Sequence, residues 1–197
     1  MQQNKPSSAE LRYLILAYNK FYDIFEDAFG ESFWRRSKYY RFSKIKDAFS
    51  IYSELLNYEP LDDVIAYLRT HRPPMEAEIG GELFKTIRNI LAHFPVFESW
   101  NNVYLDSELI NWHKPGQTID KFFTKYEGHG PVKYRFWRAD TKNMTYLSIN
   151  FPSTYSKGDR VWLKDIMTER EGVTFSLILM RQILNTQVEE IDGKSAH

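Results

Sequence analysis

The stretch Ile79-Gly80-Gly81-Glu82-Leu83-Phe84-Lys85-Thr86-Ile87-Arg88-Asn89-Ile90-Leu91-Ala92-His93-Phe94 decides how this chain is read. Ile79, Leu83, Ile87, Ile90, Leu91 and Phe94 recur at helical spacing, which predicts one buried helix face. Pro95 ends the pattern, because the residue before a proline is pushed out of helical geometry. Asn89 and His93 share the side away from the stripe, and Lys85 belongs to the same side. Arg88 and His93 lie about 140° apart around the axis, with the small Ala92 between them in projection. One helix therefore does not converge Arg88 and His93 on one small group. Two copies related by a two-fold axis would place both pairs around one cleft.

Outward from this stretch the pattern stays helical. Ser7 and Glu10 have capping-box spacing. Leu11, Leu14, Ile15, Tyr18, Phe21, Tyr22, Phe25 and Phe29 then predict a first helix that stops at Gly30. Tyr39, Phe42, Ile45, Phe49, Tyr52 and Leu56 predict a second, from about Ser37 to Tyr58. Pro60 suits the first turn of a short third helix carrying Leu61, Val64, Ile65 and Leu68, broken by Arg72-Pro73-Pro74. The central helix then starts near Met75. Between Val96 and His113 the pattern weakens to short helical turns, and Ile119, Phe122, Phe123 and Tyr126 mark a helix from Gln117 to Tyr126.

After Gly128-His129-Gly130-Pro131 the period changes. Val132, Tyr134 and Phe136 alternate with Lys133, Arg135 and Trp137, and Leu147, Ile149 and Phe151 alternate with Tyr146, Ser148 and Asn150. With the turn-like Asp140-Thr141-Lys142-Asn143 between them, these predict a β-hairpin that must lean on the helical body. Asp159 to Glu171 reads as helix, Gly172 as an interruption, and Val173 to Glu190 as a final helix.

Composition narrows the function. The chain has 197 residues, enough for a sizeable core without staples, and no cysteine. That excludes disulfides, iron–sulfur clusters and a thiol nucleophile. Lys+Arg and Asp+Glu are equal at 26 each, so there is no global basic field for nucleic-acid capture and any such contact must be local. Met1-Gln2-Gln3-Asn4-Lys5 has no apolar h-region, and no apolar run reaches spanning length, so a cytoplasmic protein without membrane association is expected.

Arginine offers a planar fork of donors matched to phosphate oxygens. Histidine gives or takes a proton near neutral pH. Asparagine orients the histidine or holds a phosphate oxygen. Attack of a ribose 2′-hydroxyl on its own phosphodiester needs a base, an acid and positive charge on the phosphorane-like transition state. Two histidines from two chains supply the first two.

Arg88-Asn89, three residues and His93, late in a helical bundle, resemble the R-x4-6-H signature of the HEPN superfamily, where a polar residue often follows the arginine. The likeness covers roughly the first half of the chain, up to about residue 127, on the usual size of such a bundle. It implies an up-and-down helical bundle, a homodimer, and a metal-independent ribonuclease of toxin–antitoxin or phage-defence systems, with Arg88, Asn89 and His93 catalytic at the dimer interface. An antitoxin or other operon partner is implied too. Some members of the superfamily are inactive binding modules. One subgroup carries a tyrosine two residues after the histidine. This chain has Pro95 there, so modification at that position is not expected.

Plainer readings stand beside these. Arg88, Asn89 and His93 also suit a solvated helix face, where a histidine near the C-terminus favours the helix dipole. Lys85 reads as a solvated lysine or a substrate contact. Gly80-Gly81 is too short for a phosphate loop and reads as a helix irregularity or close contact. His71, His113 and His129 lack metal-ligand spacing, so no metal or cofactor is expected. Asp62-Asp63 suits a helix first turn. Arg35-Arg36-Ser37-Lys38-Tyr39-Tyr40-Arg41 is the best local basic patch with aromatics, with Arg35 and Arg36 as candidate RNA contacts beside the reading of a solvated helix start. Lys133, Arg135 and Arg138 on the hairpin are a second candidate RNA surface.

The sequence thus predicts a mainly α protein. A HEPN-type bundle over residues 1–127 is joined to a β-hairpin and C-terminal helices over 128–197, the two packed as one compact domain. The expected activity is endoribonuclease, with RNA as substrate. The alternative is a non-catalytic helical module for dimerisation and protein or nucleotide binding.

Overall fold

The computed structural model describes residues 7–56, 78–109, 116–138 and 141–191. The short helix expected after Pro60, Asp62-Asp63, His71, the expected helix start at Met75, and His113 lie outside these residues. The described chain is mainly helical, with two small antiparallel ladders.

Helix α1 (Ser8–Phe29) opens as its capping box requires. Ser7 Oγ accepts the Glu10 N–H at 3.3 Å, and Glu10 Oε2 accepts the Ser7 N–H at 2.7 Å. It stops at Gly30, whose N–H donates to the Asp27 carbonyl. The buried set is Phe21, Ile24, Phe25 and Ala28. Ile15, expected in the stripe, is half exposed, while its neighbours Leu14, Ala17 and Tyr18 pack against the core. A short α2 (Glu31–Trp34) turns the chain into α3 (Lys38–Leu56), which buries Phe42, Ile45, Phe49 and Tyr52. Tyr39, expected on that buried side, is 56% exposed, since the stripe reaches the core only from Phe42 on.

The deciding stretch forms a π-helical turn, Ile79–Leu83, that runs into α4 (Phe84–His93). Gly80-Gly81 therefore marks a helix irregularity. Glu78 fastens this turn to α5 (Gly116–Tyr126), its carboxylate accepting from Lys125 Nζ and from the Tyr126 hydroxyl, each at 2.5 Å. Ile79, Leu83, Ile87, Ile90 and Leu91 are all 2% exposed or less, so the expected stripe is the buried face, with Phe94 at its half-buried end. Phe49 and Tyr52 of α3 meet Phe84 at the start of α4, while Lys46 of α3 reaches the carbonyls of Pro95 and Phe97 beyond its end. The two helices therefore run antiparallel.

Strands β2 (Val132–Arg138) and β3 (Asn143–Ile149) form the expected hairpin, in the register Val132↔Ile149 and Tyr134↔Leu147. It leans on the helical body through Tyr134, whose ring lies 5.1 Å from that of Phe175. Phe175 belongs to the last helix, α7 (Glu169–Ile191). One hydrophobic cluster takes in Phe21, Phe49 and Ile87 as well as Leu147, Ile149, Leu163 and Met180.

Three expectations fail here, for tertiary reasons. Residues 96–109 contain one 3-10 turn (Trp100–Asn102) and a strand, β1 (Tyr104–Leu105), rather than helical turns alone. The helix expected from Asp159 is replaced by β4 (Val161–Trp162), which pairs with β1, followed by the single turn α6 (Leu163–Ile166). Gly172 does not interrupt the final helix but lies inside it. A Cβ there would fall 2.4 Å from Trp100 Cζ2 and 2.9 Å from Met167 Sδ. The glycine lets the Trp100 ring, buried and donating from Nε1 to the Met167 carbonyl at 3.1 Å, lie directly against the helix.

Candidate functional site

Helix α4 carries Lys85, Arg88, Asn89 and His93 away from its apolar stripe, as its periodicity requires. The four are not equally wet. Lys85 and His93 are exposed, whereas Arg88, Asn89 and Ala92 are half-buried. Arg88 Nε and Nη2 donate to Asn89 Oδ1 at 3.2 and 3.0 Å. Asn89 thus holds the arginine rather than orienting the histidine. Burial pulls the Arg88 guanidinium below its ordinary pKa, and the Tyr52 phenol acts against that. Arginine stays charged at neutral pH even so. Among the described residues no carboxylate pairs with it. A half-buried guanidinium without a carboxylate partner keeps donors that match an anion's oxygens.

Sequence reasoning missed Tyr52, which reads as one more member of the α3 apolar stripe. It is 1% exposed and couples electrostatically to Arg88, and burial raises its pKa well above the usual phenol value. Lys46 was missed as well. Its Nζ donates to the Pro95 and Phe97 carbonyls at 3.3 Å each, adding positive charge just past His93, the last residue of α4. The run of cations from Arg35 to Lys46 was the available signal for it.

Arg35 and Arg36 sit at the corner between α2 and α3, exposed and on different elements from the α4 residues. Arg36 lies 5.7 Å from the Tyr40 ring. On the hairpin, Lys133 and Arg135 point outward opposite Ser148 and Tyr146, while the side chains of Trp137 and Arg138 lie outside the described set. His129 is exposed beside Tyr126. No group of three or more His, Asp or Glu among the described residues is arranged to hold a metal ion. No described helix is long and apolar enough to cross a membrane. A pocket of about 320 Å³ lies between Tyr155, Asp159, Arg160, Trp162 and Asp165, and none of the α4 residues lines it.

No protein-family model matches this chain, and comparison with curated proteins and with solved structures finds no match either.

Proposed function

We propose that this chain is a HEPN-type, homodimeric, metal-independent endoribonuclease, with Arg88, Asn89 and His93 at its centre. The observation that carries this reading is the half-buried Arg88, held by Asn89 and without a carboxylate among the described residues. Such a guanidinium neutralises the charge that builds on a scissile phosphate. His93 of one copy takes the proton of the ribose 2′-hydroxyl as O2′ bonds to phosphorus. The P–O5′ bond breaks, and the partner's His93 protonates the departing O5′. The products are a 2′,3′-cyclic phosphate and a 5′-hydroxyl. Base, acid and cation are all side chains, so the chemistry makes no demand for a metal. The separation of Arg88 and His93 by about 140° around α4 is why the site needs two copies.

The test is RNA cleavage in excess chelator. Wild-type protein should cut RNA to cyclic-phosphate ends, and folded His93→Ala should lose on the order of 100-fold or more of the rate. A folded dimer that leaves varied RNAs intact would exclude the enzyme.

One observation favours the second reading, a non-catalytic binding module. The His93 side chain is exposed and has no hydrogen-bond partner among the described residues, so none of them pre-orients it. That reading expects dimers that bind RNA, nucleotide or protein without turnover.

A further inference from the structure

The run from Ser32 to Lys46 carries Arg35, Arg36, Lys38, Arg41, Lys44 and Lys46 and no carboxylate, in a chain whose charges balance overall. The structure divides these six cations into two groups. Arg41 is spent on Glu169, at 3.0 Å from Nε and 2.7 Å from Nη2, and Lys46 on the carbonyls beyond α4. Arg35, Arg36, Lys38 and Lys44 have no carboxylate partner among the described residues. The nearby Glu31 is engaged by Arg170, and Asp47, three residues after Lys44 on the same helix, forms no ion pair with it.

Two tyrosine rings stand among the four remaining cations. Tyr39 is 56% and Tyr40 41% exposed, large apolar faces left open to water on a helix that buries its other aromatics. Lys38 lies 5.1 Å from the Tyr39 ring. Arg36 and Lys44 lie 5.7 and 5.9 Å from the Tyr40 ring, which is backed by the buried Phe33. Cations interleaved with open aromatic rings match a chain that alternates phosphates with flat bases. A duplex, whose bases are stacked inside, would leave the rings unused.

We propose that the corner formed by α2 and the first two turns of α3 is a docking surface for single-stranded RNA, with Tyr39 and Tyr40 stacking on bases and Arg35, Arg36, Lys38 and Lys44 on phosphates. The inference rests on the ribonuclease reading, for which it supplies the substrate track. Helix α3 itself connects the two places. Lys38 and Lys46 are about 12 Å apart along its axis, and Lys46 touches the segment that directly follows His93. RNA lying on the patch is therefore led toward the end of α4.

The experiment is fluorescence anisotropy of a labelled oligouridylate about a dozen nucleotides long, with full-length His93→Ala protein, so that binding is read without cleavage. Binding should weaken with salt in proportion to the phosphates engaged. The combined Arg35→Gln, Arg36→Gln, Lys38→Gln and Lys44→Gln variant should lose about tenfold or more and show a flatter salt dependence. Tyr39→Ala should also lose about tenfold while keeping the salt slope, and Tyr39→Phe, which keeps the ring, should bind as the parent does. Arg35, Arg36, Lys38 and Tyr39 are exposed and Lys44 is half-buried, and circular dichroism checks that each variant folds. Absence of oligouridylate binding, equal binding by the charge variant, or binding to phosphatidylserine vesicles in its place would each overturn the proposal. Wild-type protein that binds through this patch but never cuts RNA would sink the nuclease reading and leave the docking surface standing.

Discussion

Arg88 is gripped by its own neighbour: two of its donors converge on Asn89 Oδ1, at 3.2 and 3.0 Å. A guanidinium carries five N–H donors, so three stay available to an anion. An amide is the residue that does this without cancelling the charge. Asn89→Asp should therefore be more damaging than Asn89→Ala, because a carboxylate would turn the grip into an ion pair and neutralise the cation. RNA-cleavage rates should rank wild type above Ala and Ala above Asp, while thermal stability of the Asp variant is unchanged or raised. The reverse order of the two variants would show that the charge of Arg88 is not what the site uses.

Tyr52 reports on the same cation from below. Its ring packs 6.2 Å from Phe84, so Tyr52→Phe keeps the packing and removes only the hydroxyl. The expected result is a stability change within about 1 kcal/mol and a fall in cleavage rate with little change in RNA affinity. Equal rates in the two proteins would reduce Tyr52 to a core residue.

Gly172 is a site of close approach and not a helix break. Alanine is the better helix former, but its Cβ would enter the space of Trp100 and Met167. Gly172→Ala should cost about 1–3 kcal/mol, read as a lower denaturation midpoint with an unchanged denaturant slope. A stabilised Gly172→Ala protein would mean that the Trp100 ring moves freely aside.

The Arg41–Glu169 pair ties the start of α3 to the start of α7, with side chains only 16 and 19% exposed. Donating to the Glu169 carboxylate raises the Arg41 pKa, and the arginine is charged at neutral pH in any case. Arg41→Met should destabilise by about 1–3 kcal/mol, less than a fully buried pair would lose. The double variant with Glu169→Leu should recover part of the loss. A double-mutant cycle with zero coupling would show the pair to be incidental.

Glu78 contributes to acid stability. Burial raises the Glu78 pKa, but hydrogen bonds from Lys125 and Tyr126 outweigh it and hold the carboxyl below its ordinary 4.5. A folded-state pKa below the unfolded one stabilises at higher pH and loses that stabilisation as pH falls through 4.5 and below. Glu78→Gln should therefore lower the melting temperature at pH 7, by a margin that shrinks as pH falls below 4.5. A deficit that persists undiminished at pH 3 would point to packing of the π-helical turn instead.

The candidate site was only half legible in the chain. Arg88, Asn89 and His93 stand out by residue type and spacing, and the rotation between Arg88 and His93 follows from helix geometry alone. That Asn89 grips Arg88, and that both are half-buried, depends on what packs around α4. Tyr52 and Lys46 approach from α3, dozens of residues earlier, and no local pattern connects them to Arg88 or His93.

The same division runs through the fold. The capping box at Ser7, the stop at Gly30, the stripe of α4 and the alternation of the hairpin are local patterns, decided by residues within one or two turns or across one tight connection, so the sequence by itself determined them. The pairing of β4 with β1, the passage of α7 through Gly172 and the bond between Arg41 and Glu169 join residues far apart in the chain, up to 128 positions for the last. Only the tertiary structure decided these, because such contacts form when packing brings surfaces together and leave no period in the sequence between them.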